Sequence, residues 1–167
     1  SRIGSKFLNS GPGFGGSCFK KDILNLVYLS DFFGLPEVSS FWESVVNLNN
    51  WHQNRISRLI VKNLFGTISG KKISILGFAF KANTNDTRES AAISICKELL
   101  SEGGNLYIYD PQVSSLQIEN ALEISQRKSL NNDQGFWESS ESIIVSAEGS
   151  DAVVIMTEWE EFKNIDW

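Results

Sequence analysis

The sequence predicts an α/β protein in which a helical segment built on one long central helix leads into a parallel α/β domain. Three patterns carry that expectation. Apolar residues recur at helical spacing from about Cys18 to Phe65, the period changes at Lys71, and strands then alternate with helices up to Met156. The boundary between the two parts is expected at 66/67, giving units 1–66 and 67–167.

Residues 1–17 are small and glycine-rich and show neither period. A helix starts at about Cys18, with Ser17 as its N-cap, and Ile23, Leu24, Val27, Tyr28 and Phe32 mark a stripe. Gly34 suits the C′ position and Pro36 lies just beyond it. The second helix spans about Glu37–Phe65 and is closed by Gly66; at 1.5 Å per residue it is roughly 43 Å long, more than one small domain needs. Val38, Phe41, Trp42, Val45 and Val46, then Ile56, Leu59, Ile60 and Leu64, mark one side of it. Asn49, His52 and Gln53 interrupt that stripe at mid-helix, which suits either a bridge or subunit interface or a bent surface helix.

Ile73–Phe78 is expected as a buried strand, Arg88–Ser101 as a helix ended by Gly103-Gly104, and Leu106–Tyr109 as a strand stopped by Asp110-Pro111. Residues 112–138 read as polar and irregular, a segment suited to an insertion. A short helix near Ser139–Glu148 and a strand over Ala152–Met156 complete a right-handed parallel pattern. Such a sheet usually continues past this point, so the sequence is expected to be part of a longer chain.

Five net negative charges argue against a nucleic-acid partner. No apolar run approaches the roughly 20 residues that span a bilayer, so no membrane role is expected. Two cysteines make no disulfide framework, and a reducing cytoplasm is the default. His52 is the only histidine, so a His-based metal site or triad is not expected within this chain.

Two clusters carry chemistry. Gly11-x-Gly13-x-x-Gly16 has the spacing of a dinucleotide fingerprint but lacks the preceding buried strand that the motif requires. It reads better as a loop whose backbone passes close to a ligand. Cys18 follows it at the first turn of a helix, where unpaired N–H groups and the helix dipole favour negative charge, and Lys20 and Lys21 add cations. Asp22 lies one turn on, on the same face, as suits covalent chemistry at a carbonyl carbon. Cys96, on an apolar helix face, reads as core. The second cluster, Phe78–Ser90, sits at the carboxyl end of a strand, where α/β sheets bind ligands. Lys81 and Arg88 offer charge to phosphate and Phe80 an apolar surface; a cation at a helix start, as at Arg88, favours a bound anion as its reason. Asp110 could hold a ribose but is more often a turn starter before Pro111.

Gly13-Phe14-Gly15-Gly16-Ser17-Cys18-Phe19-Lys20-Lys21-Asp22 resembles the active-site segment of the nucleotide-sugar dehydrogenases, the UDP-glucose/GDP-mannose dehydrogenase family, in its eukaryotic UDP-glucose-oxidising branch. The likeness runs through Ile75–Lys81, Asp86–Ser90, Ile108–Pro111 and Thr157-Glu158-Trp159, and is weakest over 112–138. It implies oxidation of UDP-glucose to UDP-glucuronate by two NAD+, with a Rossmann-like UDP-binding domain. Cys18 would take the aldehyde-level carbon as thiohemiacetal and thioester, supported by Asp22. Lys21 and Arg88 would lie near NAD. Arg2, Phe7, Leu8, Gly15, Phe19, Phe80 and Lys81 would contact UDP-glucose, with Arg2 serving a neighbouring subunit's site. The long helix would form a homodimer, with a higher homo-oligomer open to the full-length enzyme. The family's N-terminal NAD-binding domain, with its catalytic lysine, asparagine and glutamate, has no counterpart here, so this chain alone is expected to be inactive. Pro12 and Lys20 depart from the family's pattern. Alternatives are a sister enzyme acting on UDP-N-acetylmannosamine or GDP-mannose, and a non-catalytic UDP-sugar-binding or dimerisation module; Asp86-Thr87-Arg88-Glu89-Ser90 favours the glucose enzyme, since the sisters usually carry Leu in place of Thr.

Overall fold

The computed structural model describes residues 10–127 and 134–166. Two helices come first. α1 spans Phe19–Phe32 and α2 spans Pro36–Asn63, with Pro36 in the first turn, where a missing N–H costs nothing. Cys18, not Ser17, is the N-cap of α1, and no side chain caps that end. Gly34 ends α1 with φ +72°, and its N–H bonds the Asp31 carbonyl, as its C′ placement requires.

α2 buries part of the expected stripe together with a polar seam beside it: Val46 is buried and Ile56, Ile60 and Leu64 pack against the core, while Val38, Phe41 and Leu59 are exposed. Its buried residues Val46, Asn49, Gln53 and Ser57 fall three or four apart, so a largely polar seam faces inward. Phe41, Leu48 and Trp51 face out, each more than half exposed. The reason is that the seam meets polar partners: Ser94 Oγ donates to Gln53 Oε1 at 2.8 Å, and Ser57 Oγ donates to Glu98, both partners on the next helix. An apolar stripe there would leave those groups unpaired.

The second part is a four-stranded parallel sheet in the order β3-β2-β1-β4, formed by β1 Lys72–Leu76, β2 Asn105–Tyr109, β3 Trp137–Ser139 and β4 Ala152–Ile155. β1 is central, pairing Ile73 with Leu106 on one side and with Ala152 on the other. It is covered by α3, Ala91–Ser101, whose N-cap Ser90 accepts from the Ala92 N–H. The core is contiguous from Ile73 and Ile75 through Ile95, Leu99, Ile108 and Ile118 to Trp137. β4 lies at an edge, bonded only to β1 among the described residues, and its Val153 and Ile155 side chains are 39 % and 50 % exposed.

The 112–138 segment corrects the sequence expectation. It holds α4, Ser115–Leu122, started by a reciprocal capping box in which Ser114 and Gln117 satisfy each other's backbone N–H groups, and it enters β3 at the fully buried Trp137. α5, Ile143–Ala147, and a 3₁₀ turn, Glu160–Asn164, complete the described structure. No helix among the described residues is long and apolar enough to cross a membrane.

Candidate functional site

The two sequence clusters meet in space. The Gly16 N–H donates to the Arg88 carbonyl at 3.0 Å, joining the glycine loop to the segment between β1 and α3. Space there excludes side chains. A Cβ on Gly15 would collide with the Glu89 carbonyl, and one on Gly16, already at φ +86°, would lie 2.9 Å from the Phe80 ring. Glycine is therefore needed at both positions for close approach, and at Gly16 for its backbone as well. On the other flank, Phe14 bonds to Asn49 of α2 through both its N–H and its carbonyl.

Cys18 leaves this loop exposed, 3.7 Å from Ser17 Oγ. The Asp22 N–H donates to the Cys18 carbonyl at 2.9 Å, the first closed turn of α1, so Asp22 stands one turn from the thiol and is itself exposed. Phe19 packs edge-on against Phe14 at 4.8 Å between centroids. Lys20 pairs with Glu89 at 2.7 Å, tying α1 to the β1–α3 segment. Lys21 is exposed. Phe80 and Lys81 lie together, with the ammonium 5.3 Å from the ring centroid. Arg2, Phe7 and Leu8 lie outside the described residues.

Arg88 needs no external anion to explain its position. Its guanidinium is bonded to both carboxylate oxygens of Asp86, at 2.9 and 2.8 Å. That fork, helped by the Arg88 N–H, holds the Asp86 carboxyl at about 2, well below the usual carboxylate range. Arg88 in turn stays protonated more firmly, chiefly through the Asp86 hydrogen bond, with a smaller push from the Cys18 sulfur. Cys96 is the opposite case: full burial pushes its thiol up to about 12.

Asp110 is a turn starter, and more. Its Oδ1 accepts from the Gln112 and Val113 N–H groups, while Oδ2 accepts from Phe78 at 2.7 Å, Ala79 at 3.0 Å and the Trp159 indole at 3.2 Å. Thr157 Oγ1 donates to the Ala79 carbonyl at 2.6 Å. Together these groups fix the strand-end segment that presents Phe80 and Lys81. Sequence reasoning missed this role for Asp110, and missed Asn49 and Glu89 as neighbours of the glycine loop. The polar break in the α2 stripe was the available signal for Asn49.

Both parts of the chain are similar to known proteins. The description "UDP-glucose/GDP-mannose dehydrogenase family, UDP binding domain" matches residues 74–167, and the central domain of the same family matches residues 1–51. UDP-glucose 6-dehydrogenase of Drosophila melanogaster is 46 % identical over the whole chain, and UDP-glucose 6-dehydrogenase 4 of Arabidopsis thaliana is 44 % identical. The chain spans 35 % and 37 % of their respective lengths. Among solved structures, a UDP-glucose dehydrogenase from Pyrobaculum islandicum superposes with a TM-score of 0.76 at 28 % identity, covering 99 % of this chain and 35 % of that one. A GDP-mannose dehydrogenase from Pseudomonas aeruginosa, at 23 % identity and a TM-score of 0.70, shares the fold over 95 % of this chain and 34 % of its own. Because one family accounts for both the cysteine-bearing helical part and the sheet that docks against it, the chain belongs to the UDP-glucose/GDP-mannose dehydrogenase family.

Proposed function

We propose that this chain forms the thiol-bearing and UDP-binding part of an NAD-dependent UDP-glucose 6-dehydrogenase. The observation that carries the reading is the docking of the Cys18 loop onto the Phe80–Glu89 segment, which puts a thiol, a carboxylate one turn away and an aromatic–cation pair around one surface. In this reading Phe80 and Lys81, with Gly15, Phe19, Arg2, Phe7 and Leu8, receive UDP-glucose. The Cys18 sulfur adds to the aldehyde-level carbon, its proton passing to the carbonyl oxygen. Loss of hydride from that carbon, with the hydroxyl proton released to water, leaves a thioester. Water, oriented by Asp22, then adds, the carbon–sulfur bond breaks, and carboxylate and thiol are released. NAD+ supplies the hydride acceptor when bound. Among the described residues the Gly11–Gly16 loop is followed by two helices, not by a helix and a parallel strand, which does not suit a dinucleotide cradle. The exposed cations Lys21 and Arg88 fit only the anionic edge of such a cofactor, and the chain alone is inactive in this reading.

The family matches over 1–51 and 74–167 support units of 1–66 and 67–167. The outward apolar side of α2, with Phe32 and Phe33 of the α1 end, supports a homodimer through α2, to be checked by sedimentation. Two unpaired cysteines support a cytoplasmic setting. Calorimetry with UDP-glucose, UDP and GDP-mannose tests the substrate class. Preference for UDP-glucose is expected; equal or tighter binding of GDP-mannose would refute the reading.

A further inference from the structure

The polar break in α2 has a partner. Asn49 is 9 % exposed, and its amide engages both backbone polar groups of one residue: Oδ1 accepts from the Phe14 N–H at 2.9 Å, and Nδ2 donates to the Phe14 carbonyl at 3.2 Å. This is the pairing a neighbouring strand would offer, supplied here by a side chain to a loop with no ladder of its own. Gly13, at φ +131°, lets the chain pass: a Cβ there would stand 2.7 Å from Asn49 Oδ1 and 3.2 Å from Gln53 Nε2. Gln53 is held by Ser94 of α3, and His52 Nε2 donates to the Gly11 carbonyl at 3.1 Å. Opposite, Gly16 is bonded to Arg88. Phe14 lies midway between these anchors and packs on Phe19, the residue after Cys18.

We propose that Asn49 is a positioning residue for Cys18, acting through the Phe14 backbone: it fixes the glycine loop so that the thiol sits at the start of α1. The proposal rests on the reading of Cys18 as the reacting thiol. Its test needs no ligand, so a failure of UDP-glucose binding and a failure of this coupling are read separately.

The experiment compares wild type, Asn49→Asp and Asn49→Leu in the full chain. Three readouts are taken: the rate of Cys18 alkylation by iodoacetamide at neutral pH, amide hydrogen exchange at Phe14 and Gly16, and the protection of Cys96 as an internal monitor of the fold. Asn49→Asp keeps an acceptor for the Phe14 N–H but turns an oxygen toward its carbonyl; Asn49→Leu removes both bonds. Exchange at Phe14 is expected to stay slow in Asn49→Asp and become fast in Asn49→Leu. Cys18 alkylation is expected to fall at least about fivefold in both as the thiol leaves its place at the start of α1. Cys96 stays protected throughout. Wild-type alkylation rates in both variants would overturn the proposal. So would alkylation of Cys96 in both, which would assign Asn49 to global stability. If Asn49→Leu alone fails to fold, the alkylation rate of Asn49→Asp decides.

Discussion

Replacing Asp110 by Asn removes one atom's worth of acceptor from a group that serves five donors. Oδ1 takes two backbone N–H groups and Oδ2 takes two more and the Trp159 indole. An asparagine keeps one oxygen. The orientation that loses least keeps that oxygen on the Oδ2 side and turns its NH2 toward Gln112 and Val113, leaving two N–H groups facing a donor. A buried donor left without a partner costs about 1–3 kcal/mol, so the pair costs about 2–6 kcal/mol; solvent access at Gln112 favours the lower half, about 3 kcal/mol. For a domain of this size that lowers Tm by about 6–12 °C. The assay is thermal unfolding of wild type and Asp110→Asn, with amide exchange at Phe78, Ala79, Gln112 and Val113 as the local readout. Exchange is expected to accelerate at these four amides before it does in β1. A Tm within about 2 °C of wild type would refute the reasoning, because the strand-end segment would then be held by Thr157 and packing alone.

The other expectations concern the thiols and the loop. Alkylation of the folded chain at pH 8 should modify Cys18 and spare Cys96, whose burial keeps it a thiol up to about pH 12; mass spectrometry showing two modified cysteines without denaturant would contradict this. The Asp86 carboxyl, lowered from 3.8, contributes stability that is complete above pH 4 and lost as pH falls toward about 2. Its carbon-13 titration should therefore have a midpoint near 2, returning toward 3.8 in Arg88→Ala; a wild-type midpoint near 3.8 would show that the fork does not form. Gly16→Ala and Gly34→Ala both place alanine at positive φ, at a cost of about 1–2 kcal/mol each. Only Gly16→Ala also presses on Phe80, so it alone should weaken UDP-glucose binding in calorimetry. Equal affinities in the two variants would separate Phe80 from the ligand surface.

Much of the fold is legible because its signals are local. Gly34 with Pro36, the run Ile73–Leu76 and the apolar spacing of Ala91, Ala92, Ile95 and Leu99 each announce an element through neighbours within a few residues, although α3 starts at Ala91 after the N-cap Ser90 and not at Arg88. α4 was equally local, since Ser114 and Gln117 stand at capping-box spacing, but the polar composition around them concealed it. Arg88 has a nearer partner than its sequence position suggested: its guanidinium forks onto Asp86, two residues away. The site is harder. The thiol, its glycine loop and the Phe80–Arg88 segment each stand out as motifs, yet that they touch is not written in either. Asn49 meets Phe14 across 35 residues, and Asp110 meets Phe78 across 32. Such pairings depend on the path of the whole chain. The buried side of α2 was also hidden, because polar side chains with distant partners look, in sequence, like a face meant for water.

The edge of β4 that is unpaired among the described residues bears on how this chain, taken alone, meets heat. With its outer side unpaired among the described residues and Val153 and Ile155 exposed along it, β4 is a template on which another chain can add. As temperature loosens the domain, encounters between such edges compete with refolding, and their frequency rises with protein concentration. The loss of native protein on warming is then governed by a rate, with an apparent midpoint that moves with scan speed and dilution. Slow heating of a concentrated sample should end in precipitate where fast heating of a dilute one returns the native fold.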